Sequence, residues 1–282
     1  QPLQMIQAEP LIARLAAEGE GMTFGITILL LAMQNPVIVA ENAASLDWIT
    51  NGNYVLGVGL GYRREEFEAL GVEFEQRVSR FEEAIPLIRR LWSEESVIHH
   101  GRHFNVSGMG ASIKPKRAGG PPIWVGGDVI AAVQRAAKLN CPWIAPPTMT
   151  FHEIAERVEV YRKASAGISG NSVNEQPIIR EVAIGSTKAE ALRAARPALL
   201  SKYEAYASWG QTATKEQVSL SDTFDDFIKD RFIIGDESEV ADEVARYKDS
   251  FGEGEFLVRI QWPGFAQSNV LESIERLGKI IT

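Results

Sequence analysis

Only one cysteine, Cys141, stands in the 282 residues, so no disulfide joins two parts of this chain, and a reducing compartment, the cytoplasm, is the expected setting. Long apolar runs are also missing. The longest, Ile26–Met33, falls far short of the ~20 residues a membrane helix needs, and no signal-peptide pattern opens the chain. Basic residues are in deficit, with 29 Lys and Arg against 37 Asp and Glu. That balance argues against nucleic-acid or anionic-membrane partners and for a small-molecule one. No low-complexity segment and no shift in composition marks a domain boundary, and the 45% hydrophobic share is enough for a full core.

What is present is an alternation of short apolar runs and amphipathic stretches. Helical spacing over Pro10–Glu18 is followed by the apolar run Met22–Met33, a buried strand ended by Asn35-Pro36. Val37–Leu46 is the next helix, closed by Asn51-Gly52, and Tyr54–Gly59 the next strand. This strand, helix, strand unit is the mark of a parallel sheet. Further strands are expected at Pro121–Gly127, Cys141–Ile144, Ile178–Ile184 and Phe256–Ile260. Helices are expected at Phe81–Trp92, Val129–Leu139, His152–Ala166, Lys188–Trp209, Glu239–Phe251 and Asn269–Ile280. Six parallel strands make three quarters of an eightfold barrel, and a doubly wound open sheet fits the alternation equally. Gly61–Arg80, Ile98–Pro122 and Gln211–Ile234 are left as long connections.

Two glycine turns follow strands and carry the chemistry. Gly57, Gly59 and Gly61 interrupt NYVLGVGLGYRREEF, where backbone must turn or approach a ligand, but Tyr62 stands where a dinucleotide fingerprint needs its third glycine. Gly126, Gly127 and Asp128 precede a helix whose first N–H groups suit a phosphate, or Asp128 is simply that helix's N-cap. His99, His100 and His103 are too broken by Gly101 to suggest a metal, so no metal site is expected. Cys141 reads as a small core residue, and Glu65-Glu66, Glu82-Glu83 and Asp225-Asp226 as solvated faces. Arg259, Gln261 and Trp262 end the last strand, where Arg259 suits an anionic substrate group or a cofactor.

In order along the chain, ITILLLAMQNP, VAENAASLDWITNG, YVLGVGLGYRREEFEALGV, RFEEAIPLIRRLW, HHGRHFNV, PPIWVGG and FIIGDESEVADEV resemble the bacterial luciferase-like flavin-dependent oxidoreductases. The resemblance implies a single (β/α)8 TIM barrel spanning residues 1–282, lacking an N-terminal strand, helix and strand, with a variable lid segment near residues 203–234. It implies FMN or a deazaflavin coenzyme as cofactor. The activity expected is a two-component monooxygenase acting with oxygen and a separate flavin reductase on a small apolar or aromatic substrate. A deazaflavin-dependent dehydrogenase and a non-catalytic flavin-binding protein are the alternatives. Thr27, Leu29 and Asn35 are placed by the resemblance near the flavin ring, Gly59, Gly61 and Tyr62 along its phosphate and ribityl chain, and Gly126, Gly127 and Asp128 at the phosphate. Asp128 departs from the small neutral or hydroxyl residue that members often carry there, and its carboxylate repels a phosphate unless it caps the helix and turns away. Arg259, Trp262, Tyr206 and Phe227 become substrate-pocket residues, other polar contacts lie on the lacking strands, and pairing through Val37–Thr50 makes a homodimer or higher oligomer.

Overall fold

The computed structural model describes residues 6–168, 176–210, 220–252 and 254–281. They fall into two compact units, residues 1–143 with 167–171, and residues 144–166 with 172–282. In the first, α1 (Ala8–Ala16) and β1 (Phe24–Leu30) lead through α2 (Pro36–Ile49) to β2 (Tyr54–Gly59), α3 (Arg64–Ala69) and α4 (Arg77–Ser93). A hairpin of β3 (Val97–His100) and β4 (Asn105–Met109) follows. Then come β5 (Ile123–Gly126), α5 (Ile130–Lys138) and β6 (Trp143–Ile144), within which the chain passes to the second unit. The sheet order is β1-β2-β5-β6, with β1, β2 and β5 parallel. Every residue of β2 is buried, as the unbroken apolar run Tyr54–Val58 requires of a strand covered on both faces.

Helix ends follow their local chemistry. Asn35 caps α2 by accepting the Val37 N–H, Pro36 occupies the first turn, where no partner is needed for its missing N–H, and Asn51 and Gly52 take the left-handed conformations expected of that pair. Trp92 of α4 crosses to α2, donating its indole N–H to the Ala40 carbonyl at 2.9 Å.

Three expectations are corrected in this unit. The strand expected over Met22–Met33 ends at Leu30 and gives way to a 3-10 turn, Leu31–Met33, that buries Leu31 and Ala32 fully; apolar content outlasts the extended backbone. The connection Gly61–Arg80 contains α3, anchored by fully buried Phe67. Its charged face is held by Arg63–Glu66 at 3.0 Å and Arg64–Glu75 at 2.9 Å. Within Ile98–Pro122, the histidine segment forms the hairpin, pinned by Glu83. That carboxylate pairs with His99 Nε2 at 3.0 Å and accepts the backbone N–H groups of His103 and Phe104 at 3.0 Å.

The second unit holds α6 (Phe151–Ser165), β7 (Ile178–Ile184), α7 (Lys188–Ser208), α8 (Leu220–Phe227), β8 (Ile233–Gly235), α9 (Glu237–Phe251), β9 (Phe256–Arg259) and α10 (Gln267–Ile281). Its strands are parallel in the order β8-β7-β9. Central β7 is buried at all seven positions, although its sequence IIREVAI carries two charges. Alternate side chains face opposite ways. Ala183 packs with Ala195, Leu199 and Tyr203 of α7 and with Phe224 and Phe227 of α8. Arg180 faces the other way, its guanidinium 5.3 Å from the ring of Tyr247 on α9, which meets Phe151 of α6 at 5.0 Å. The connection Gln211–Ile234 is corrected by α8 and by β8, a seventh parallel strand too short to show a period; residues 211–219 of that connection and of the expected lid lie outside the described residues.

Strands β1 and β9 each have a strand partner on one side only among the described residues, and both are at most half-buried where β2 and β7 are fully buried. No helix among the described residues is long and apolar enough to cross a membrane.

Candidate functional site

In the first unit the pairing register lines up the carboxyl ends of three strands. Leu29 adjoins Val58, Leu30 adjoins Gly59, and Val58 adjoins Val125, so the turns after β1, β2 and β5 emerge side by side. That is the end of a parallel sheet where α/β proteins bind ligands. Thr27 and Leu29 lie half-buried in β1, with Thr27 entering a cis peptide to Ile28 at the point where the β1–β2 register shifts. Asn35 is exposed and its side chain is engaged in capping α2.

The glycines there answer to measurable demands. A Cβ on Gly57 would stand 2.4 Å from the Ile26 carbonyl oxygen, a backbone atom, so Gly57 lets β1 lie close; one on Gly59 would meet the end of the Ile28 side chain, which can swing aside. Gly61 differs. Its φ of +82° is the left-handed region where glycine is favoured, and it turns the chain toward exposed Tyr62. Gly127 has φ of +155°, its Cβ would meet Ala132 Cβ at 2.5 Å, and its carbonyl accepts the Trp143 indole N–H at 2.7 Å. The turn is thereby tied down beneath the first turn of α5, whose N–H groups point outward. Asp128 is not the cap: Val129 is, and α5 begins at Ile130, one residue later than expected. An extended φ and ψ at Val129 displaces the helix start, leaving Asp128 in the turn itself. Fully buried Cys141, as expected, is a core residue; burial pushes its thiol up to about 11.

The second unit holds a charged cluster that sequence reasoning reached only in part. Fully buried Glu181 of β7 receives Lys202 Nζ at 2.5 Å, Tyr203 Oη at 2.8 Å and Arg259 Nη1 at 3.2 Å on one oxygen, and Trp262 Nε1 at 2.5 Å on the other. Tyr206 stands at its edge, its phenol raised by burial and acted on by the nearby Arg259 charge. Of the four expected pocket residues, Arg259 and Trp262 therefore converge on one carboxylate, and Tyr206 stands beside them with its ring 5.6 Å from that of Tyr203. Phe227 stands behind them, buried in the core with its ring 5.1 Å from Tyr203. Glu181, Lys202 and Tyr203 were not expected, yet the signal was present: adjacent opposite charges inside the apolar strand IIREVAI cannot both be solvated there. The second of these charges, Arg180, donates hydrogen bonds to backbone carbonyls, those of Pro146, Pro147, Met149 and Arg231 at 2.7 to 3.3 Å.

Electrostatics follow from that crowding. Burial alone would push the Glu181 carboxyl up; the Arg259 and Lys202 charges and the Lys202 and Trp262 hydrogen bonds outweigh it and hold the group below the usual carboxylate range. Burial pulls Lys202 down from 10.5 to about 8, against the attraction of Glu181. Between about pH 8 and 10 the unfolded chain keeps a proton that folded Lys202 has lost, so stability rises with pH across that window. Higher still, the phenols of Tyr203, Tyr206 and Tyr247, each raised by burial, keep protons the unfolded chain loses and reverse the slope. Urea melts at about pH 7.5, 8.5 and 9.5 should show the rise and Lys202→Met should flatten it; a fall in the unsubstituted chain would refute the lowered lysine.

Known proteins give this geometry its context. Phthiodiolone/phenolphthiodiolone dimycocerosates ketoreductase of Mycobacterium kansasii is 30% identical over 147 residues, 51% of this chain and 40% of the relative. FMNH(2)-dependent dimethylsulfone monooxygenase of Pseudomonas fluorescens is 26% identical over 243 residues, 79% of this chain and 65% of the relative. The chain thus spans less than two thirds of these relatives' length. Among solved structures, monooxygenase RslO1 from Streptomyces bottropensis superposes with a TM-score of 0.84 at 19% identity, covering 97% of this chain and 81% of that one. The coenzyme F420 dependent tetrahydromethanopterin reductase of Methanopyrus kandleri gives 0.76 at 15%, with 97% and 86% covered. The fold is accordingly the TIM-barrel fold that the resemblance implies and the alternation allows. With residues 6–254 matching the family's profile, the chain belongs to the luciferase-like monooxygenase family.

Proposed function

We propose that this chain forms most of a flavin-dependent oxidoreductase, a two-component monooxygenase that takes reduced FMN from a separate reductase and acts on a small organic substrate. The observation that carries the reading is the alignment of the β1, β2 and β5 ends, with Gly127 packed too closely on α5 for a side chain. Such a surface of bare backbone fits a flavin phosphate: the first-turn N–H groups of α5 would hold it, and Gly59, Gly61 and Tyr62 would flank the ribityl chain. Thr27, Leu29 and Asn35 would border the ring. When bound, reduced flavin supplies the electrons that activate oxygen; the protein's part is to hold it, orient the substrate and exclude water. The FMNH(2) in the name of the dimethylsulfone relative supports this choice of cofactor.

A second reading, hydride transfer by a deazaflavin coenzyme, is favoured by the likeness to the Methanopyrus reductase. A single barrel domain with a lid near residues 203–234 and pairing of copies through Val37–Thr50 complete the proposal. Titration with FMN and with the deazaflavin, each followed by its fluorescence, tests it. Wild-type protein should bind one of the two saturably, and Gly127→Val should weaken that binding at least tenfold, about 1.4 kcal/mol. Binding of neither coenzyme refutes the reading.

A further inference from the structure

The Glu181 cluster does not balance. One buried carboxylate faces two cations, Lys202 and Arg259, leaving one positive charge over; Glu181 and Lys202 are closed off from water and Arg259 stands at the edge. The carboxylate's acceptor positions are filled by four donors. Arg259, in contrast, gives one hydrogen bond, to Glu181, out of a five-donor fork. Its side chain is 31% exposed, so the remaining fork is reachable, whereas Lys202 is sealed in at 5%. Rings continue outward from this point: Tyr206 lies 5.6 Å from Tyr203 and 5.7 Å from Trp209, and both Tyr206 and Trp209 are half-buried.

A surplus positive charge with unused donors at the edge of a buried cluster, beside an aromatic wall, is complementary to an organic anion. We propose that Arg259 recognises the acidic group, carboxylate or sulfonate, of a substrate whose apolar body packs on Tyr206 and Trp209. Glu181 and Lys202 act as positioning residues: Glu181 fixes the guanidinium, and Lys202 keeps the cluster net positive so that the fork stays available. The inference gives the substrate class of the proposed oxidoreductase, and as that it rests on the flavin reading; anion binding itself does not.

Trp262 donates to the same carboxylate and reports on the cluster, so tryptophan fluorescence titration is the test, with benzoate and benzenesulfonate as probes and benzamide as their neutral counterpart. FMN and riboflavin binding are measured separately. Wild type should bind either anion saturably and at least tenfold tighter than benzamide, with the preference shrinking as salt is raised. Arg259→Gln should abolish the preference and Arg259→Lys should keep part of it, while FMN binding stays unchanged. Equal binding of benzoate and benzamide by the unsubstituted protein, a comparison that needs no variant to fold, overturns the proposal. So does an Arg259→Gln protein that loses FMN but not riboflavin, which would make Arg259 a cofactor-phosphate contact. Anion preference without binding of any flavin would sustain this inference and sink the flavin reading instead.

Discussion

Glu181→Gln should lower the unfolding free energy by about 3 kcal/mol, because removing one partner of a buried ion pair strands the others. The loss is large since four donors meet on that one side chain, and an amide offers one acceptor oxygen and no charge to offset two cations. Adding Lys202→Met should recover more than half of it. The double variant has no surplus lysine, and its apolar side chain suits the surrounding rings of Tyr203 and Tyr206, which lie 5.3 and 5.6 Å from the ammonium. Urea denaturation of the four members of the cycle measures the coupling. If the two losses simply add, the cluster is not a unit.

Gly57→Ala should cost about 3 kcal/mol, the upper end for overpacking. The added methyl would stand 2.4 Å from the Ile26 carbonyl oxygen and 3.3 Å from Thr27 Cα, both backbone atoms of the paired strand, which cannot swing aside as a side chain would. Gly278→Ala is the contrast. That glycine lies inside exposed α10 with nothing within 4 Å of its would-be Cβ, so alanine should stabilise by about 0.5 to 1 kcal/mol. Equal effects at the two positions would show that packing against β1 does not set the requirement for glycine in β2.

Most of the architecture could be read from the residues because parallel strands covered on both faces need largely apolar runs, and Tyr54–Val58, Ile123–Val125 and, but for Arg180 and Glu181, Ile178–Ile184 supply them. Helix α3 escaped because REEFEA buries one side chain, Phe67, and the rest is charge, which resembles a solvated turn. Strand β8 escaped because three residues are too few to show a period. In the site, Arg259 and Trp262 were legible from their place at a strand end. Glu181 and Lys202 were not weighed, since the rule that strands bury apolar residues drew attention to the isoleucines of IIREVAI. The cap of α5 was misplaced for a similar reason: aspartate is a favoured cap, but the cap position is set by where the extended backbone ends, and that is Val129.

Strand β7 carries one further consequence. Arg180 and Glu181 project to opposite faces, the cation into four carbonyl oxygens and the anion into two cations and two neutral donors. A slip of one residue in the pairing of β7 would exchange the faces, setting guanidinium against lysine and carboxylate against carbonyl oxygens. An all-apolar strand in that place would pay little for such a slip. The adjacent charge pair therefore works as a polarity key: it makes a one-residue slip of the central strand repulsive on both sides at once, and so helps fix where Arg259 stands opposite Glu181.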